Sequence, residues 1–128
     1  KIGVPKEIKK LEYRVGLTPM HARHYLQAGH TVMIQRGAGI GSGFLDEEYE
    51  KVGCQLADDI ATIYRENEMI IKVKEPLEEE FLLLKPGQIL FTFLHLIPFL
   101  FIFPFFSSDL IIGSITNFTF FSAVTLDL

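Results

Sequence analysis

The stretch Thr31–Asp46, with the sequence TVMIQRGAGIGSGFLD, contains three structural signals in succession. Residues 31–35 are apolar and β-branched, which predicts a strand. Glycine occupies every second position from 37 to 43, which predicts a loop. Asp46 is placed to cap a short helix, and Gly53 is placed to end it. A strand, a loop and a helix in this order are typical of one unit of an α/β protein.

The same alternation continues on both sides of this stretch. Upstream, Ile2–Val4 predicts a strand, and Thr18 is placed to cap a helix with Pro19 at its first position and Gly29 at its end. Downstream, further strands are predicted at 54–57, 69–73 and 88–94, and further helices from Asp58 or Asp59 to Tyr64 and over 78–84. We therefore predict an α/β, Rossmann-like fold with a mainly parallel sheet and helices on both faces.

The composition excludes several classes of protein. The chain has 128 residues, a formal net charge of −4 and one cysteine, Cys54, and its length suits one domain. The 12 Lys and Arg residues form no run or stripe that could follow a phosphate backbone, so we expect no nucleic acid partner. One cysteine cannot form an intrachain disulfide, and the first residues do not resemble a secretory signal, so we expect a cytoplasmic protein.

Three residues capable of chemistry lie at or beyond the ends of predicted strands. Arg14 lies in the loop after the first strand, Lys74 directly follows the strand 69–73, and His95 directly follows the strand that ends at Leu94. The carboxyl ends of parallel strands share one edge, where ligands bind in open α/β sheets. A guanidinium, an ammonium and an imidazole at that edge suit a small carboxylate that carries a second polar oxygen.

Each of these residues also has a purely structural interpretation. Arg14 is compatible with a solvated loop position. Lys74 is compatible with a surface ion pair to the neighbouring Glu75. His95, between two leucines, is compatible with a hydrogen-bonded histidine in the core. The residue types and their positions leave these alternatives open.

The glycine loop does not match a dinucleotide-binding fingerprint. In the pattern G-x-G-x-x-G, the third glycine would fall at Ser42 or Phe44. The acidic residue expected about 20 positions further on, at the end of a strand, is also missing, because Asp58 and Asp59 are predicted helix caps. We therefore interpret the loop as a structural turn and predict no cofactor-binding residue in this chain. No histidine is spaced with a carboxylate or a thiol as a ligand set, so we predict no metal site.

Several short motifs together resemble the N-terminal part of alanine dehydrogenases. They span about three quarters of the chain and comprise KIGVPKE at 1–7, EYRV at 12–15, TP at 18–19, AGH at 28–30, GAG at 37–39, KVKEP at 72–76 and LHL at 94–96. The related nicotinamide nucleotide transhydrogenases share the opening and the region of Arg14. The KVKEP and LHL motifs resemble the dehydrogenases more closely.

This resemblance implies a role for each candidate residue. Arg14 and Lys74 would bind the carboxylate and the carbonyl oxygen of pyruvate, Lys74 would also stabilise charge on that oxygen, and His95 would be the general acid/base. The reaction would be the reversible oxidative deamination of L-alanine to pyruvate and ammonia, with NAD as the hydride acceptor. Enzymes of this family are oligomers, so the resemblance also implies a homo-oligomer.

The composition changes abruptly after residue 96. Eight of the 12 phenylalanines follow His95, and the only charged residues beyond it are two aspartates. We therefore divide the chain into a substrate-domain portion at 1–96 and a divergent apolar tail of unknown structure at 97–128. Residues 86–108 contain no charged side chain, but three prolines and a glycine interrupt them, so we expect no membrane span. A shifted reading frame near residue 97 would explain the change.

Three functional interpretations follow from this division. In the family, a dinucleotide-binding domain with its own glycine fingerprint and a catalytic aspartate follows this segment, and neither is found in these 128 residues. We favour the substrate-binding portion of an NAD-dependent alanine dehydrogenase. The alternatives are a transhydrogenase-type domain and a truncated pyruvate-binding module without catalytic activity.

Overall fold

Strands and helices alternate along the first 93 residues. The computed structural model describes residues 1–93 and 121–125. The strands are β1 Ile2–Val4, β2 Val32–Gln35, β3 Gln55–Ala57, β4 Met69–Lys74, β5 Ile89–Phe93 and β6 Phe121–Thr125. The helices are α1 Pro19–Gln27, α2 Asp46–Val52, α3 Ile60–Glu66 and α4 Glu78–Phe81, with one turn of 3-10 helix at Ile40–Ser42.

The strands form one sheet in the order β3-β2-β1-β4-β5-β6. All pairs among the first five strands are parallel, and β6 is antiparallel to β5. The prediction of a mainly parallel, Rossmann-like sheet is therefore confirmed. The segment 97–128 thus contributes β6 to the edge of the same sheet, and the division at residue 96 stays a prediction.

Helices cover both faces of the sheet, as the sequence predicts. Side chains alternate between the two faces along each strand. On one face, the core joins strands β1 and β2 to helices α1 and α2 through Val4, Val32, Ile34, Ala22 and Tyr49. On the other face, it joins β4 and β5 to α3 through Ile70, Leu90, Ile63 and Tyr64. Burial from both sides explains why β1 is apolar along its whole length.

The start of α2 differs from the prediction. Asp46 is the first residue of the helix, and Leu45 occupies the cap position. The Asp46 carboxylate accepts the N–H of Gly37 at 2.8 Å, while the N–H of Leu45 donates to Glu48 Oε2 at 2.8 Å. The predicted cap role of Asp46 is therefore wrong, because this carboxylate closes the glycine loop instead. The end of α4 also differs, since residues 82–84 continue in tighter turns after Phe81.

The neighbouring aspartates Asp58 and Asp59 have different roles, a choice that the sequence leaves open. Asp59 caps α3, and its carboxylate accepts the N–H of Thr62 at 2.8 Å and the Thr62 hydroxyl at 2.9 Å. Asp58 is 88% exposed and forms a surface ion pair with Arg36. The bonds from Thr62 hold the pKa of Asp59 below its ordinary value of 3.8. The capping contribution is therefore present above that value and is lost as the pH falls through the lowered pKa.

We expect Asp59→Ala to lower the urea midpoint of unfolding at pH 7 more than Asp58→Ala does. Only Asp59 satisfies an end group of a helix, whereas an exposed ion pair contributes little. Urea titrations followed by circular dichroism measure both midpoints, and the difference between the variants should shrink as the pH falls below the ordinary aspartate pKa. Equal midpoints at pH 7 would contradict the assignment of Asp59 as the cap.

Candidate functional site

Two of the three predicted site residues lie at the carboxyl edge of the sheet. Arg14 is in the connection between β1 and α1, and Lys74 is the last residue of β4. Because β1 and β4 are adjacent and parallel, the segments that follow them meet at the same edge. His95 lies outside the described residues, so its position stays a prediction.

Arg14 is bound by Glu12, a residue that the sequence analysis did not single out. Arg14 Nε donates to Glu12 Oε1 at 2.8 Å, and Arg14 Nη2 donates to Glu12 Oε2 at 2.7 Å. The main-chain N–H of Arg14 also donates to Glu12 Oε1, at 2.9 Å. Two parallel bonds between a guanidinium and a carboxylate fix the plane of the arginine. Glu12 therefore orients Arg14 at the edge of the sheet.

The charge of Glu12 also interacts with Lys74. The side-chain hydrogen bonds from Arg14 are the main cause that lowers the pKa of Glu12 to about 2, and the charge of Lys74 acts in the same direction. The Glu12 side chain is 6% exposed, whereas that of Arg14 is 64% exposed. Arg14 is therefore the main partner of this carboxylate. Glu75, the partner considered for Lys74, forms an ion pair with Lys9.

Two pockets open beside Arg14. The first, of about 300 Å³, lies between the Arg14 loop, the glycine loop and the ends of β4 and β5, and its lining includes Arg14, Gly16, Ser42, Phe44, Val73 and Phe91. The second, of about 390 Å³, lies between the loop after β1 and the glycine loop, and its lining includes Lys6, Glu7, Glu12, Tyr13 and Gly37. The first pocket combines a guanidinium with an apolar wall, which suits a small organic acid.

The glycine loop packs against the protein's own chain. A Cβ atom at Gly41 would lie 2.5 Å from the carbonyl oxygen of Tyr13, and one at Gly39 would lie 2.8 Å from the ring of Tyr49. The Ser42 hydroxyl donates to the same Tyr13 oxygen at 3.2 Å. Gly39 and Gly41 therefore lie directly against Tyr49 and the main chain of Tyr13. Their role is to support the segment that carries Arg14.

We expect Gly41→Ala to destabilise the protein by about 2 kcal/mol, because the added methyl group meets main chain that cannot move freely. Gly43→Ala is the matched control. Its Cβ would lie in open space, so only the left-handed backbone conformation costs free energy, about 1 kcal/mol. Urea unfolding gives both values, and amide NMR shifts at Tyr13 and Arg14 should change in Gly41→Ala alone. Unchanged shifts in that variant would contradict the supporting role.

A buried network of charged groups lies directly behind this edge. Glu7 Oε1 accepts the N–H of Val73 at 2.6 Å and that of Lys74 at 3.4 Å. The ammonium of Lys72 lies 2.5 Å from Glu80 Oε1 and 3.7 Å from Glu7 Oε2. The Tyr64 hydroxyl donates to Glu80 Oε1 at 3.0 Å. The network therefore connects the loop after β1, the end of β4, and helices α3 and α4.

Burial raises the pKa of two members of this network, Glu7 and Tyr64. Desolvation raises the pKa of Glu7, against the opposing effects of the Lys72 charge and the bonds from the main chain. Burial also raises the pKa of Tyr64 well above its ordinary range. These residues were not predicted from the sequence, although one signal was present. A lysine inside the apolar strand Met69–Lys74 requires a buried partner of opposite charge.

Removal of the Lys72 charge should destabilise the protein strongly. We expect Lys72→Met to cost about 3 kcal/mol, because two buried carboxylates lose their cation. Lys10→Met, at an exposed position of the loop after β1, should change the free energy of unfolding by less than about 0.5 kcal/mol. Chemical denaturation of both variants measures the difference. A cost for Lys72→Met as small as that of the control would show that the network does not stabilise the fold.

Within residues 1–93 and 121–125, no group of three or more His, Cys, Asp or Glu side chains is placed to hold a metal ion. In the same residues, no helix is both long enough and apolar enough to span a bilayer.

The described residues form an α/β domain in which Arg14 follows β1 and Lys74 ends β4, two adjacent parallel strands. Residues 3–100 match the family described as "Alanine dehydrogenase/PNT, N-terminal domain". The chain belongs to this family. The resemblance to alanine dehydrogenases is thereby confirmed.

Known proteins match the same part of the chain. The alanine dehydrogenase of Methanococcus maripaludis is 54% identical over 97 residues, which are 76% of this chain and 26% of that protein. The alanine dehydrogenase of Bacillus subtilis is 48% identical over 95 residues, which are 74% of this chain and 25% of that protein. The chain therefore spans about a quarter of the length of these relatives.

Solved structures give the same assignment. An L-alanine dehydrogenase superposes with a TM-score of 0.72 at 50% identity, covering 74% of this chain and 26% of that one. A transhydrogenase from Sinorhizobium meliloti superposes with a TM-score of 0.68 at 27% identity, covering 73% of this chain and 26% of that one. Both matches support the fold, and the higher identity favours the dehydrogenase.

Proposed function

We propose that this chain is the substrate-binding portion of an NAD-dependent alanine dehydrogenase, which converts L-alanine reversibly to pyruvate and ammonia. The observation that carries the proposal is that Arg14 follows β1 and Lys74 ends β4, two adjacent parallel strands whose carboxyl ends share one edge of the sheet. Relatives named alanine dehydrogenase support the proposal, because they are 54% and 48% identical to this chain over the matched segment.

Arg14 is the group that would bind the carboxylate of the substrate. Glu12 occupies the edge of the guanidinium formed by Nε and Nη2. The opposite edge, formed by Nη1 and Nη2, can donate two parallel bonds to a second carboxylate. The 64% exposure of the Arg14 side chain makes that edge accessible. Glu12 would therefore present Arg14 to the substrate in a fixed orientation.

Lys74 and His95 would act on the reacting carbon. The ammonium of Lys74 would bind the carbonyl oxygen and stabilise the negative charge that develops there when ammonia or water adds. His95 would transfer the proton as general acid/base, since an imidazole titrates close to neutral pH. The bonds from Val73 and Lys74 to Glu7 would keep the main chain at this point in place during the reaction.

The proposed reaction also needs a hydride acceptor, which the resemblance names as NAD. Gly39 and Gly41 pack against Tyr49 and Tyr13, and we assign NAD to no described residue. A homo-oligomer and a cytoplasmic location are part of the same proposal. The homo-oligomer rests on the resemblance, and the cytoplasmic location rests on the low cysteine content of the sequence.

Two alternatives differ from this proposal in testable ways. A transhydrogenase-type domain is supported by a structural match at 27% identity, against 50% for the L-alanine dehydrogenase. A pyruvate-binding module without activity would bind the substrate in the same way but would not turn it over. An assay of pyruvate and ammonia with NADH, followed by absorbance, separates turnover from binding.

Pyruvate binding tests the role of Arg14 directly. Titration calorimetry of the 128-residue chain should detect binding, and Arg14→Ala should weaken it by about tenfold or more, because a charge-assisted hydrogen bond contributes roughly 1.5 to 3 kcal/mol. Arg23→Ala, at an exposed position of α1, removes the same charge elsewhere and should leave the affinity unchanged. Equal affinities for the two variants would contradict the proposed function.

A further inference from the structure

The pairing of β4 with β5 is irregular beside the candidate site. Ile71 is paired with Phe91, and the next pair joins Lys74 to Phe93. Three steps along β4 therefore match two steps along β5, so β4 contains one extra residue at 72–73. An extra residue of this kind is a β-bulge, a feature that often lies next to an active site and redirects a side chain.

The bulge determines which face of the sheet Lys74 shares. Side chains alternate between the two faces along a regular strand, so residues three positions apart lie on opposite faces. One extra residue reverses the alternation beyond it, and Lys74 therefore shares a face with Ile71. Ile71 packs in the core with α1 and α2, and it lines the pocket of about 300 Å³ that Arg14 also lines.

Without the bulge, Lys74 would share the opposite face with Lys72. The ammonium of Lys72 is buried there beside Glu80 of α4. The electrostatics agree with the face that the bulge selects. In addition to the stronger effect of the bonds from Arg14, the charge of Lys74 lowers the pKa of Glu12. The bulge therefore brings Lys74 to the side of the sheet on which Arg14 lies.

The carboxylate of Glu7 holds this bulge. Successive N–H groups of a regular strand point to opposite edges, but those of Val73 and Lys74 both donate to Glu7 Oε1, at 2.6 and 3.4 Å. The pairing of β4 with β1 extends only to Ile70, so the Glu7 side chain takes the place of a main-chain acceptor beyond that point. This side chain is 2% exposed, which keeps water from replacing it.

We propose that Glu7 is a positioning residue, whose carboxylate holds the bulge that turns Lys74 to the side of the sheet on which Arg14 lies. The ammonium of Lys74 and the guanidinium of Arg14 would then meet one substrate molecule from the same side. This inference rests on the proposed function, which assigns the substrate carbonyl oxygen to Lys74. The competing role of Glu7 is purely structural, as a second counter-charge of Lys72.

A double-mutant cycle on pyruvate affinity separates the two roles. In titration calorimetry, Glu7→Leu and Lys74→Met should each weaken binding by about tenfold, the effect of losing one charge-assisted hydrogen bond. In the Lys74→Met background, Glu7→Leu should weaken binding no further, because the residue that it positions is already gone. An effect of Glu7→Leu that is equal in both backgrounds, or absent from both, overturns the inference.

Two further variants separate the acceptor from the charge. Glu7→Gln removes the charge that faces Lys72 but keeps an oxygen that can accept both N–H groups, so its affinity should stay within about twofold of the wild type. A loss as large as that of Glu7→Leu would overturn the inference. Glu48→Leu is the matched control, because Glu48 also accepts a main-chain N–H, that of Leu45 at the start of α2. It should leave the affinity unchanged.

A measurement on the wild-type chain keeps the inference falsifiable if Glu7→Leu does not fold. NMR scalar coupling across the hydrogen bond should connect the amide nitrogen of Val73 to the carboxyl carbon of Glu7, and its absence overturns the inference. Pyruvate binding that depends on Lys74, with an independent effect of Glu7→Leu, overturns only this inference. No binding of pyruvate by the wild-type chain overturns the proposed function with it.

Discussion

The buried ammonium of Lys72 is the constraint on which the functional edge depends. Lys72 is 3% exposed, and a buried charge is tolerated only when groups of opposite charge compensate it. Glu80 on α4 and Glu7 in the loop after β1 supply that compensation. Glu7 then bonds the main chain at the end of β4. Glu7 thereby joins the loop that carries Arg14 to the strand that carries Lys74.

The segment between Glu7 and α1 is held by several independent contacts. Gly41 allows the glycine loop to approach the main chain of Tyr13, and Ser42 adds a hydrogen bond there. Leu11 adopts a left-handed backbone with φ of 63°, which is unfavourable for a branched side chain. Such a conformation persists only where the surroundings hold it. The ion pair between Glu12 and Arg14 therefore lies on a segment whose backbone conformation is fixed by neighbouring residues.

Local signals predicted the elements well because their causes are local. Thr18, Pro19 and Gly29 lie where the structure begins and ends α1, and the apolar runs lie within one or two residues of the strands. The sequence predicted the positions of the helices better than the residues that cap them. Asp46, Asp58 and Asp59 have the same chemistry, but only Asp59 caps a helix. The partners of the other two, Gly37 and Arg36, belong to segments that the fold brings alongside.

The sequence by itself determined the α/β class, the family, and the placement of Arg14 and Lys74 after strands, since these depend on periodicity, caps and contiguous motifs. Only the tertiary structure decided how charges are paired around them. Glu7 and Val73 are 66 positions apart in the chain, and they meet because a crossover places β4 beside β1. The same crossover brings the end of β4, with Lys74, to the edge of the sheet where the loop after β1 carries Glu12 and Arg14. No local pattern encodes these pairings, because they depend on which strand ends become neighbours in the sheet.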